Sequence, residues 1–243
     1  MRKILIAMPV YNESGIIRDV VQDLMIETSF GSVELVLVDD KSTDATFEIL
    51  QQLNTQYSGK VHVFQNEINL GHGGTLCKAL SIGLQQTSDL IVSCDGDGPI
   101  SGKNLIRILE LEQHFDVLEV ARKQRVEPLF RKFTTQFTRL IVLVKSGKLP
   151  IDANTPIRVY QPNVLAKLLP KVAGSQVPNL LLSIICRQKK LVVLSQKVNV
   201  VERKINQTGT MWGQGRAPRN LPNKRFMKFA IKSFWEVVCF NEK

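Results

Sequence analysis

Short apolar runs that alternate with segments of helical period, each run ending in polar residues, constrain this chain more than any other feature. Lys3–Val10 is such a run, and Ser14 to about Glu27 follows with Ile16, Ile17, Val20, Val21 and Leu24 at helical spacing. Glu34–Val38 is a second run, after which Ser42-Thr43-Asp44 offers cap residues for a helix through Leu53. Lys60–Phe64, a glycine-rich turn at Gly71–Gly74, a helix over Thr75–Gln86 and a fourth run at Asp89–Cys94 continue the pattern. Strands and helices in this order imply right-handed βαβ units, hence an α/β domain on a mainly parallel sheet flanked by helices. The later part is less regular. Strands are expected at Phe115–Ala121, Ile157–Tyr160 and Leu191–Val201, and helices at Phe130–Lys145, Asn163–Leu169, Asn179–Gln188 and Lys224–Phe240. Gly209–Asn223, rich in Gly, Pro and Asn, reads as a loop.

Charge divides the chain. Residues 1–121 hold 8 Lys/Arg against 17 Asp/Glu, a balance of −9, and residues 122–243 hold 24 against 5, a balance of +19. An acidic half suits a bound cation, and a basic half suits phosphate esters, an anionic membrane surface or nucleic acid. The cysteines Cys77, Cys94, Cys186 and Cys239 have no C-x-x-C spacing, which argues against a zinc site or a disulfide framework and fits a cytoplasmic protein. Met1-Arg2-Lys3 before an apolar run imitates a signal peptide, but Pro9, Asn12 and Glu13 break the run, so a buried first strand is expected. No stretch approaches the roughly 18 apolar residues of a membrane span.

In an open α/β sheet ligands bind beyond the carboxyl ends of the strands. The polar residues collect there: Pro9-Val10-Tyr11-Asn12-Glu13, Asp39-Asp40 and Asp95-Gly96-Asp97. Clustered carboxylates repel one another unless a cation or donor groups compensate, and Mg²⁺ or Mn²⁺ prefers such oxygen ligands. A lone D-x-D is a weak signal; at this place in the layout it is a strong one. Asp39 and Asp40 have a competing reading as helix caps, and Asp95 and Asp97 as a solvated turn.

These residues carry a resemblance. Met8-Pro9-Val10-Tyr11-Asn12-Glu13, Val36-Leu37-Val38-Asp39-Asp40-Lys41-Ser42-Thr43-Asp44, Asn69-Leu70-Gly71-His72-Gly73-Gly74 and Asp95-Gly96-Asp97 together resemble family 2 glycosyltransferases with the GT-A (Rossmann-like) fold, and in particular the dolichyl- or polyprenyl-phosphate mannosyl/glucosyltransferase branch. The resemblance implies one GT-A domain over residues 1–223, with 1–121 as the nucleotide-sugar half and 122–223 as the acceptor half; residues 224–243 read by their own pattern as a basic amphipathic C-terminal helix, with Arg225, Lys228 and Lys232 along one side, whose apolar side suits either an anionic membrane interface or the domain's own core. It implies a donor site of Pro9, Tyr11, Glu13, Val38, Asp40, Asp95 and Gly96, with Asp95 and Asp97 on a Mg²⁺ or Mn²⁺ ion. Arg122, Arg131, Arg158 and Arg203 would bind phosphate or acceptor, because the guanidinium fork suits diphosphate. Asp97 is expected to act at the reacting centre, and Asp152 to orient or deprotonate an acceptor.

Two departures stand out. Pro99 occupies a position where that branch often has a polar ligand, and Pro178-Asn179 stands where relatives often place an acid. The expected reaction is transfer of a sugar from a GDP- or UDP-linked donor, with inversion, to a polyprenyl phosphate or a glycan intermediate, by an enzyme peripheral on the cytoplasmic face of a membrane. The competing classes are a sugar-1-phosphate nucleotidyltransferase, which shares the sheet and metal but normally has a glycine-rich first loop, and a degenerate nucleotide-sugar-binding or nucleic-acid-binding module. Aromatics at 7% and the absence of any recognition motif argue against specific nucleic acid binding.

Overall fold

A computed structural model describes residues 2–25, 31–111, 114–122, 129–198 and 224–241. In chain order the elements are β1 (Arg2–Val10), α1 (Ile17–Leu24), β2 (Gly31–Asp39), α2 (Thr46–Gln56), β3 (Val61–Gln65), α3 (Gly71–Leu84), β4 (Leu90–Ser93), α4 (Gly102–Leu111), β5 (Val117–Arg122), α5 (Leu129–Ser146), β6 (Ile157–Tyr160), α6 (Pro162–Leu168) with a 3₁₀ turn over Leu169–Val172, α7 (Pro178–Gln188), β7 (Val193–Val198) and α8 (Lys224–Cys239). One seven-stranded sheet runs in the order β3-β2-β1-β4-β6-β5-β7. β6 is antiparallel to both β4 and β5, and every other pairing is parallel.

The strand period of two explains the layers. On β1, Ile4, Ile6, Met8 and Val10 pack against α1, α2 and α4 through Ile17, Val20, Leu50, Leu53 and Leu105. The alternate residues Leu5 and Ala7 face the opposite side, with Leu76 and Leu80 of α3 and Leu181 and Ile184 of α7. Strands buried on both faces read as continuous apolar runs, which is why β1, β2 and β4 are visible in the sequence. Burying a Leu or Ile fully is worth about 1.5–3 kcal/mol, so the central strands dominate the fold's stability.

The structure departs from the sequence expectations in three places. α4 was not anticipated. Ser101 opens it: its carbonyl accepts the Leu105 N–H at 3.0 Å, its hydroxyl accepts the Asn104 N–H at 3.3 Å, and Leu105, Ile106, Ile108 and Leu109 are buried. Gly71–Gly74 is the first turn of α3 rather than a separate turn. A Cβ on Gly73 would lie 2.5 Å from the Ser175 carbonyl oxygen, so this glycine serves close packing. Third, α1 begins at Ile17, because residues 13–14 are held by the neighbouring loop described below. The stretch from Asn199 to Asn223, including Arg203 and the expected loop at Gly209–Asn223, lies outside the described residues.

Candidate functional site

β1 lies between β2 and β4, and the chain winds outward from it in opposite directions, so the crevice beyond its carboxyl end is a topological switch point. The loops after β1, β2 and β4 converge there. Because β6 runs antiparallel, its entrance, the segment 152–156, lies on the same rim as the end of β4; Arg122 ends β5 on that rim too. The sheet therefore gathers Asp95, Asp97, Asp152 and Arg122 at one edge, although they are far apart in sequence. Of the expected phosphate-binding arginines, the side chains of Arg122 and Arg131 lie outside the described residues.

The loops after β1 and β2 are stitched together. Asn12 N–H donates to Ser42 Oγ at 2.9 Å, and Thr43 N–H donates to Asn12 Oδ1 at 2.8 Å. Glu13 N–H donates to Thr46 Oγ1 at 2.8 Å, and Ser14 N–H to Asp44 Oδ2 at 3.3 Å. Asn12 holds φ at 55° and Lys41 at 62°, the left-handed region that Asn tolerates through its short polar side chain and that Lys seldom adopts. Strain of this kind concentrates where a loop must present a fixed surface. On the other flank, Gly96 brings the β4 loop against β1: a Cβ there would sit 3.0 Å from the Pro9 carbonyl oxygen.

Into this frame project the carboxylates of Glu13, Asp95 and Asp97. Burial, followed by the charges of Asp97, Asp44 and Asp95, pushes the Glu13 pKa up from 4.5 to about 7. Asp97 Oδ1 is buried and has no hydrogen-bond partner among the described residues. A buried acceptor without a donor costs about 1–3 kcal/mol, and more when charged, so its persistence points to a ligand. His72, on the first turn of α3, places Nε2 3.6 Å from Asp95 Oδ1. Among the described residues no three His, Cys, Asp or Glu side chains form a ready-made metal cage. Asp95 and Asp97 fit a divalent ion that takes its remaining ligands from a bound molecule or from water, and buried Pro99 adds no side-chain ligand.

The other residues expected at the donor site fall into three groups. Tyr11 is half-buried at the crevice. Pro9 and Val38 are strand residues whose side chains are packed in the sheet. Asp39 and Asp40 are buried and engaged. Asp39 accepts from Ser42 N–H at 3.1 Å and from Gln65 Nε2 at 2.9 Å. Asp40 Oδ1 accepts from Asn66 Nδ2 at 2.8 Å and from Leu70 N–H at 2.7 Å. Asn66 in turn donates to Thr75 Oγ1 and accepts from Lys78 Nζ, each within 2.9 Å. This network fixes the start of α3 beside the crevice. Asn66, Thr75 and Lys78 stand in no sequence motif that would mark them for this role.

Arg158 corrects an expectation. It is 1% exposed in β6, donating to Ala153 O at 2.9 Å, to Ser183 Oγ at 2.6 Å and to the Asn179 carbonyl, with Glu119 3.5 Å away. Such a guanidinium is out of reach of a solvent-borne phosphate. Arg187 pairs with Glu119 through two bonds of 3.0 and 2.7 Å. Burial pushes Glu119 upward, but the Arg187 bonds and the two arginine charges outweigh it and hold the carboxyl below the usual range. Asn179 is buried beneath Arg158, so α7 offers no acid at the rim. Arg158 acts instead as a tie between the Asp152 loop and the first turn of α7. Asp152 Oδ1 accepts the Asn154 N–H at 3.0 Å and shapes that loop.

Comparison with known proteins agrees with this geometry. The family model described as "Glycosyl transferase family 2" matches residues 5–168. The chain is similar to the undecaprenyl-phosphate 4-deoxy-4-formamido-L-arabinose transferase of Salmonella choleraesuis, at 24% identity over 173 residues, covering 70% of this chain and 52% of that protein. The same transferase of Photorhabdus laumondii is 26% identical over 178 residues, with the same coverage. The chain thus spans about half the length of the curated relatives it matches. Among solved structures, glucosyl-3-phosphoglycerate synthase from Mycobacterium tuberculosis, in complex with Mn²⁺, UDP and glucosyl-3-phosphoglycerate, superposes with a TM-score of 0.61 at 15% identity, over 100% of this chain and 82% of that one. S. aureus TarS 1-349 does so at 0.57 and 19%, over 82% and 59%. These likenesses show the GT-A fold.

Proposed function

The chain belongs to glycosyl transferase family 2, and on that premise we propose that it transfers a sugar from a nucleoside-diphosphate donor to a lipid-phosphate acceptor, with a divalent cation and inversion at the anomeric carbon. The observation that carries this reading is Asp97 Oδ1, buried with no donor among the described residues, beside a Glu13 carboxyl pushed up by burial and by the charges of Asp97, Asp44 and Asp95. Diphosphate plus cation is the ligand chemistry that relieves both defects. Undecaprenyl phosphate enters from the names of the similar transferases, and UDP with Mn²⁺ from the superposed synthase.

Tyr11 and Glu13 would face the nucleoside end, on the rigid floor made by the Asn12–Thr43 and Asp40–Asn66 bonds, with Asp40 supporting that floor from below. Asp95 and Asp97 would hold Mg²⁺ or Mn²⁺, whose chemistry is neutralisation of the diphosphate as it leaves. Arg122, at the end of β5, would meet phosphate oxygens from the acceptor side, and Asp152 would orient the acceptor. A lipid phosphate is already ionised near neutral pH, so its oxygen attacks without a strong base, and the chain's work is positioning and electrostatic stabilisation. The buried amide of Asn179 is no loss to such a reaction. Nothing favours nucleotidyl transfer: the loop after β1 is Tyr11-Asn12-Glu13, clamped rather than glycine-rich.

Thermal stabilisation by UDP-, GDP-, dTDP- and CDP-sugars, with and without Mn²⁺, tests the reading, since a ligand of the native state raises the melting temperature. A Mn²⁺-dependent shift with one nucleotide, absent in Asp97→Ala, is expected. A shift that survives the substitution, or no shift with any donor, overturns the assignment of the crevice.

A further inference from the structure

α8 divides lengthwise into three sectors. Ser233 and Val237 are buried against the domain, and Phe240 packs on the same core. Met227, Ile231, Phe234, Trp235 and Val238, at the i, i+4, i+7, i+8, i+11 positions of one helical face, are exposed, Trp235 to 60% and Ile231 to 55%. Lys228 and Lys232 stand exposed beside that face. The apolar strip continues onto α5. Phe137 stacks on Phe234 with ring centroids 6.0 Å apart, and Leu140 and Val144 extend the strip, Val144 being 77% exposed. Lys145 Nζ donates to the Val238 and Phe240 carbonyls at 2.8 and 3.2 Å, closing the end of α8 onto α5. The two helices thus present a joined apolar face too large to read as scattered exposed residues.

We propose that this α5–α8 face docks on an anionic lipid bilayer. The argument for that occupant is charge. From Leu129 to Ile151 the sequence has no Asp or Glu. The one acid of α8, Glu236, turns inward to accept the Gln176 N–H at 3.3 Å. Aromatic and aliphatic groups in one plane, flanked by exposed Lys148, Lys228 and Lys232 with no exposed acid beside them among the described residues, match a surface whose core is apolar and whose headgroups are negative. A second copy of the chain is a poorer partner, because a two-fold interface would set these cations against themselves. No described helix is long and apolar enough to cross the membrane, so the contact lies in the plane of the interface.

The face also adjoins the crevice. Glu236 holds the backbone of Gln176, whose carbonyl would lie 2.7 Å from a Cβ on Gly73 in the first turn of α3. Docking would therefore set the rim beside the headgroup layer where a lipid phosphate lies. That consequence rests on the proposed acceptor; the docking itself does not.

The test is co-sedimentation of the full chain with vesicles of phosphatidylcholine alone and of phosphatidylcholine mixed with phosphatidylglycerol. Wild type is expected to bind the anionic vesicles at least tenfold more tightly, and to release them as salt rises. Ile231→Ser/Trp235→Ser should lose binding to them by about tenfold or more, and Lys228→Glu/Lys232→Glu by a similar factor. In a Trp212→Phe background, Trp235 emission should shift to the blue on anionic vesicles. All four substituted side chains are solvent-exposed, so unchanged melting temperatures are expected and separate docking from folding. Equal binding by wild type and both variants, salt-independent binding to neutral vesicles, or a dimer that the variants convert to monomer would each overturn the proposal. Donor-induced stabilisation, measured on wild type and on the same variants, keeps the two readings apart. Wild type that does not dock but keeps the donor shift fails only this inference, wild type that docks without any donor shift fails only the proposed function, and variants that lose docking should keep the donor shift.

Discussion

Two clusters of charge lie on the same sheet and are built to opposite rules. At the carboxyl ends of β1 and β4, burial and then the charges of Asp97, Asp44 and Asp95 push the Glu13 carboxyl up, and one Asp97 oxygen is buried with no donor among the described residues. Under α7, Glu119 receives two bonds from Arg187 and stands 3.5 Å from Arg158, and its pKa is held low despite burial. The first cluster is unfinished and the second is closed. An unfinished cluster costs stability unless something binds it, whereas a closed one holds elements together and has no valence left for a substrate. The direction of the carboxylate's shift, up at Glu13 and down at Glu119, separates site from scaffold better than burial does.

Breaking the closed cluster should have the largest effect. Arg187→Ala leaves Glu119 buried beside only the more distant guanidinium of Arg158, and removal of one partner from a buried pair costs about 3–5 kcal/mol. Urea unfolding should show that loss as a lower midpoint with the slope unchanged. A loss below about 1 kcal/mol would mean that water reaches Glu119 and that the cluster is not closed. Asp97→Ala tests the other side. Donor affinity in the presence of Mn²⁺ should fall by roughly 10–100-fold, about 1.4–2.7 kcal/mol, while stability without ligand stays level or rises because a repelling carboxylate is gone. Destabilisation of the free protein by this substitution would make Asp97 part of the scaffold.

The contrast also explains what could be read in the sequence. The acidic rim was legible because each of its residues follows an apolar run long enough to be a buried strand, and the sheet then places strand ends together without further information. The closed cluster was not. Arg158 has the same identity and neighbours whether it points to a phosphate or into the core, and its partners Glu119 and Ser183 come from β5 and α7, brought near only by folding. Gly73 failed for a similar reason, since its need for no side chain comes from Ser175 and Gln176, remote in sequence. α4 is hard to read although its apolar spacing and Ser101 cap are present, because Pro99 and Gly102 dominate that stretch. Asn12 lies inside a motif that gives it no role by itself, since its role depends on Ser42 and Thr43 of the neighbouring loop.

A smaller effect is expected from Glu13. With its pKa raised from 4.5 to about 7, the native state binds more protons than the unfolded chain between those values. Below pH 4.5 the carboxyl is protonated in both states and imposes no penalty. The penalty grows as pH rises through the window and is complete above 7, amounting to about 1–2 kcal/mol after allowance for solvent screening. Chemical denaturation from pH 4.5 to 8 should therefore show wild type losing that much relative to Glu13→Gln. Parallel curves for the two proteins would mean that neither burial nor the neighbouring carboxylates act on Glu13, and the crevice would no longer count as unfinished.

The finest test asks whether the frame around the open cluster is itself closed. Asn12 holds φ at 55° while its side chain accepts from Thr43 N–H, so its backbone and its side chain contribute separately. Asn12→Gly removes the side-chain bonds but keeps the left-handed backbone without strain, and should cost about 0.5–1.5 kcal/mol. Asn12→Ala removes the same bonds and adds the left-handed penalty of an ordinary residue, roughly 1 kcal/mol more. If the loop is the rigid floor of a nucleotide site, Gly should weaken donor binding more than its stability loss suggests, because a freed loop must be reordered each time ligand binds. Equal donor affinity in wild type, Gly and Ala variants would show that the floor is held by Glu13 and Thr46 instead. The contrast between site and scaffold would then run through single residues of this loop rather than between two regions of the sheet.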